Sequence, residues 1–65
     1  MEEPILQFFA FEHLPESLQL VSAPFHDMAH EVIMQLPRSP ERTVALRKLL
    51  ESKDAAVRAK LFKPE

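Results

Sequence analysis

Not one of the 65 residues is glycine. Strand-rich folds use glycine in hairpin turns and bulges, and nucleotide enzymes use it in phosphate-cradling loops, so both classes recede together. Punctuation is left to proline. Pro15, Pro24, Pro37 and Pro40 divide the chain into an N-terminal arm and two helical segments.

The first segment opens near Ser22, with Pro24 read into the first turn, where its missing N–H costs little. Phe25, Met28, Ala29, Val32, Ile33 and Leu36 then follow helical spacing until Pro37 pushes its predecessor out of the α region. The expected helix covers residues 22–36. The second helix announces itself with Ser39-Pro40-Glu41, a serine cap, a proline at the first position and an acid that complements the dipole. Thr43, Leu46, Leu50, Val57 and Leu61 share one face, so a helix over 39–62 is expected, roughly 30 Å or more at 1.5 Å per residue. Pro37-Arg38-Ser39 is long enough only to reverse the chain, and the predicted fold class is all-α: an antiparallel two-helix hairpin in a single 1–65 domain.

Residues 1–21 form the arm, where Phe8, Phe9 and Phe11 supply three of the five phenylalanines and Pro15 suits the start of a short helix. The arm either packs into the hairpin core or crosses to a neighbouring protomer, and crossing is the favoured expectation. A 65-residue core rarely supplies more than a few kcal/mol, and no cysteine is present to add disulfides or a thiolate zinc site. The remaining route to stability is a homo-oligomeric helical bundle. No run approaches 18 apolar residues, and the chain opens on acids where a secretory leader needs bases, which reads as a cytoplasmic protein without a membrane partner.

Charge is divided unevenly. Residues 1–37 contain six acids and no Lys or Arg, while residues 38–65 hold all eight Lys and Arg and four acids. Arg47 and Arg58, three turns apart, share a face, and Arg42 and Thr43 sit in the first turn of the second helix, where free N–H groups and the dipole suit phosphate. The alternative is that Glu51 and Asp54 pair with Arg47 and Arg58 at i, i+4. His26 and His30 have the i, i+4 spacing of a ligand pair, but no third ligand has recognisable spacing, so these are read as surface or interface histidines and no metal or other cofactor is expected. There is no nucleophile elbow and no cysteine, so the chain is not expected to be an enzyme. A DNA-binding regulator needs a three-helix support and a basic surface, and the net charge of −2 argues against it. A pocket, if any, would be built between protomers, which favours binding over turnover.

Three strings carry a resemblance: Phe-Glu-His-Leu-Pro at 11–15, Leu-Pro-Arg-Ser-Pro-Glu-Arg-Thr-Val-Ala-Leu-Arg-Lys-Leu-Leu-Glu at 36–51, and Lys-Asp-Ala-Ala-Val-Arg-Ala at 53–59. In their order they resemble the phage anti-CBASS cyclic-oligonucleotide sponges, whose hairpin domain is shared with phage anti-Thoeris sponges. The resemblance implies a homohexamer that sequesters cyclic dinucleotides, and in some members cyclic trinucleotides, without cleaving them, inside an infected bacterial cell. It implies that Phe11 stacks a base and that Arg42 and Thr43 meet phosphate oxygens, with Ser22, His26 and Arg47 as further contacts. Members often carry tyrosine where Phe11 stands, and the family's basic contact at the start of the middle helix looks absent here. A helical module that binds or inhibits a protein partner is the alternative.

Overall fold

A computed structural model describes residues 3–64; the first two residues of the expected arm and the last of the domain lie outside the described residues. A six-residue 3-10 helix, η1 (Pro4–Phe9), is followed by two long helices, α1 (Glu16–Gln35) and α2 (Pro40–Leu61), which pack against each other. No strand occurs among the described residues. The shape is a rod of 44 × 22 × 17 Å with a radius of gyration of 12.7 Å, where a compact chain of this length would have about 10.7 Å.

α2 starts as its local sequence dictates. The Ser39 hydroxyl accepts from the Arg42 N–H at 3.1 Å, Pro40 occupies the first helical position, and Arg58 and Lys60 lie in the last turn, where they oppose the negative end of the dipole.

α1 begins six residues earlier than its apolar stripe suggests. Pro15 sets the start, and Leu18 and Gln19 both donate to its carbonyl at 2.9 and 3.0 Å. The Gln19 amide N–H donates back to the Leu14 and Glu12 carbonyls at 2.8 and 3.3 Å and ties the preceding turn to the start of the helix. Pro24 therefore sits inside the helix, not in its first turn. It is tolerated because it is on the solvent side: the carbonyl deprived of its N–H partner belongs to Leu20, which is 75% exposed, so water substitutes for the missing bond.

Within one protomer the arm packs on its own hairpin. η1 lies against both α1 and α2, and Phe9 is fully enclosed with Ala29 of α1 and Leu46 of α2, so each element contributes one residue to the centre of the core. Two cations of α2 hold it there. The Arg42 guanidinium pairs with the Glu3 carboxylate at 3.1 Å ahead of η1, and Lys53 Nζ donates to the Phe8 carbonyl at 2.9 Å near its end. Arg42 and Lys53 are 11 residues apart and share a face, so the arm is strapped along one side of the hairpin.

Little else is enclosed. Phe8, Leu20, Met28, Met34, Leu36, Val44, Leu61 and Phe62 remain exposed, and the chain presents 4951 Å² to solvent, where a compact 7.5 kDa monomer presents about 4200 Å². Two enclosed oxygens lack a hydrogen-bond partner among the described residues, one of the Glu3 carboxylate and the Ser22 hydroxyl, and the Ser22 side chain has no other polar atom to share the cost. Since an unsatisfied buried hydroxyl carries its full desolvation penalty, Ser22→Ala is expected to stabilise the fold by about 1 kcal/mol. A higher urea midpoint at unchanged slope is the expected readout; a lower midpoint would mean that the hydroxyl is satisfied in solution.

Candidate functional site

The residues singled out from sequence fall into two groups. Phe11, Ser22 and His26 lie at the junction of the arm with α1, while Arg42, Thr43 and Arg47 lie in the first two turns of α2. Leu36, which Arg42 contacts, is ten residues beyond His26, so the two groups stand about 15 Å apart along the hairpin.

At the first, an exposed turn, closed by the Leu14 N–H on the Phe11 carbonyl at 3.0 Å, turns the chain from the arm into α1. It brings the Phe11 ring edge-on to His26, with centroids 5.1 Å apart at 71°, and His26 in turn lies 4.5 Å from His30. The three rings form a half-buried aromatic row, and His26 Nδ1 lies 3.3 Å from an Asp27 carboxylate oxygen. The Glu12 carboxyl is held below the ordinary carboxylate range by its own backbone N–H and that of Phe11, helped by the positive character of nearby His26 and His13. Ser22, one turn before His26, is sealed inside the protomer, so a ligand reaches its hydroxyl only if the packing around it opens.

At the second, Glu3, Pro4, Ile5, Arg38, Thr43 and Arg47 line a pocket of about 290 Å³. Arg42 is not among its lining residues. Arg42 is buried and its guanidinium is committed inward, donating to the Leu36 and Ile33 carbonyls at 2.9 and 3.4 Å as well as to Glu3. It caps the C-terminus of α1, whose last carbonyls have no intrahelical donors. Thr43 lines the pocket, but its hydroxyl donates to the Ser39 carbonyl at 3.3 Å and must turn before it can donate to an anion.

Arg47 behaves differently. It is exposed, and the i, i+4 pairing with Glu51 does not form: among the described residues neither Arg47 nor Arg58 makes an ion pair, and Asp54 lies 4.0 Å from Lys53 instead. An arginine without an internal acid beside a pocket keeps its planar fork available for an outside anion.

Comparison with protein-family models, curated proteins and solved structures finds no match. What the chain can do therefore rests on its own geometry. The two groups offer a row of aromatic rings and an exposed arginine beside a pocket, and among the described residues no set of three His, Cys, Asp or Glu converges as a metal site. No helix among the described residues is long and apolar enough to cross a membrane.

Sequence reasoning missed Glu3 and Arg38 as pocket residues and Lys53 as a strap. In sequence, Arg38 sits in a three-residue corner whose pattern signals only a chain reversal. Nothing local marks Glu3 as a partner of a residue 39 positions away. His30 did carry a signal, its i, i+4 spacing from His26.

Proposed function

We propose that this protein binds cyclic di- or trinucleotide signals and sequesters them intact, as a homo-oligomer, in the cytoplasm of an infected bacterial cell. The observation that carries the reading is Arg47, exposed in the lining of the pocket at the start of α2 and without an ion pair among the described residues. The Phe11–His26–His30 row supplies the second requirement, a π-face on which any base stacks. Each contact alone is weak, and the exposed Leu, Met and Phe side chains favour an assembly in which copies close these sites over a ligand. The resemblance to anti-CBASS sponges points to a hexamer and to loss of signal as the means of immune evasion.

Titration calorimetry against cyclic di- and trinucleotides, with chromatography of the recovered ligand, tests this. Binding with intact recovery is expected, weakened about tenfold or more in Phe11→Ala, since stacking contributes about 1–3 kcal/mol per base, and similarly in Arg47→Ala. Sedimentation under the same conditions should report a mass of several chains. Cleaved ligand, or no heat with any cyclic nucleotide, would overturn the reading. The latter result would favour the second one, a partner-binding module, for which the same exposed apolar side chains are the supporting observation.

A further inference from the structure

His26 and His30 are neighbours on one face of α1, and the separation of their rings is one that binding to a shared ion allows. With N–metal bonds of about 2.0–2.1 Å and an angle between a right angle and a tetrahedral one, two rings bound to one ion have centroids about 4.5–5 Å apart. The observed separation is 4.5 Å, with the rings tilted by 53° and not stacked flat.

A second observation concerns the other side of the His26 ring. Its Nδ1 is 3.3 Å from Asp27 Oδ1, and Asp27 is 80% exposed, with a carboxylate free to take the Nδ1 proton as a hydrogen bond. That contact occupies Nδ1 and leaves Nε2 as the nitrogen to face an ion, the carboxylate–histidine arrangement that orients imidazoles toward metals. The His26 side chain is itself 30% exposed, so an ion has access.

We propose that His26 and His30 form a two-histidine clamp for a late first-row divalent cation, Zn²⁺, Ni²⁺ or Cu²⁺, with Asp27 orienting His26. Imidazole nitrogen suits these ions and not Mg²⁺ or Ca²⁺. Among the described residues no third His, Cys, Asp or Glu completes the set, so water fills the remaining positions. The clamp would tie together the turn from His26 to His30, just beyond the Leu20–Pro24 turn that lacks a backbone bond. Because Phe11 rests edge-on against His26, it would also fix the ring on which the arm's aromatic leans.

The test uses the full-length chain without an affinity tag, titrated with Ni²⁺ at pH 7.5 and followed through the histidine ring protons by NMR. The expected result is paramagnetic broadening of His26 and His30 together, at less than one ion per chain, while His13 stays sharp. Calorimetry with Zn²⁺ should give one site per chain, weakened more than about tenfold by His30→Gln and about tenfold by Asp27→Asn, and unchanged by His13→Ala. If His30→Gln does not fold by circular dichroism, the broadening pattern of the wild-type chain decides. Broadening of His13 before or with the other two, or a folded His30→Gln that binds as tightly as wild type, would overturn the clamp.

Discussion

Phe9→Ala is expected to abolish cooperative thermal unfolding. The ring is fully enclosed between Ala29 and Leu46, and truncating an enclosed phenylalanine costs about 3–5 kcal/mol. That is as much as a core in a chain of this size supplies. Phe8, the neighbouring residue, is 56% exposed, and Phe8→Ala should change stability by no more than about 0.5 kcal/mol. Melting curves followed at 222 nm separate the two. A sigmoidal melt retained by Phe9→Ala would mean that the arm is dispensable and that the hairpin is stabilised by something else, with association between copies the first suspect.

The second large effect is at Arg42. Replacing it with methionine leaves the enclosed Glu3 carboxylate without its counter-charge and the Leu36 carbonyl without its donor. Breaking one side of a buried ion pair costs about 3–5 kcal/mol, whereas removing both charges together is close to neutral, so Glu3→Met combined with Arg42→Met should recover most of the loss. One Glu3 oxygen already has no partner, which makes the pair an imperfect one and the double replacement the more tolerable. Urea denaturation of the two single variants and the double gives the coupling directly. A cost for Arg42→Met below about 1 kcal/mol would show a solvated pair, and would return the guanidinium to the list of groups available for phosphate.

These two residues also show where sequence reasoning succeeds and stops. The start of α2 is written in three adjacent residues, Ser39, Pro40 and Glu41, because capping is local physics. The start of α1 was misplaced since Pro24 and Pro15 both look like first-position prolines. The choice between them depends on whether the Leu20 carbonyl meets water, which is a property of the packed hairpin. Arg42 has the residue type and position of an anion ligand, yet the anion it meets is the chain's own Glu3, 39 residues away. Arg47, with the same chemistry five residues later, has no such partner among the described residues. Local pattern thus fixes which side chains stand at a helix start, and only the tertiary arrangement decides which of them are already occupied. The aromatic row is a similar case: Phe11 and His26 come from segments 15 residues apart, joined by a turn with no glycine to mark it.

The strap that Arg42 and Lys53 place over the arm has a consequence for the order of assembly. Its anchor points close loops of 39 and 45 residues, while the seat for Phe9 is composed of Ala29 and Leu46 from opposite helices. The seat does not exist until the two helices have zipped from their Pro37–Ser39 corner, so the arm is the last element to dock on folding and the first to leave on local opening. An encounter that lifts the arm, by a ligand or another copy, therefore uncovers the Ala29–Leu46 seat and withdraws the ring that joins the two helices at the centre of the core.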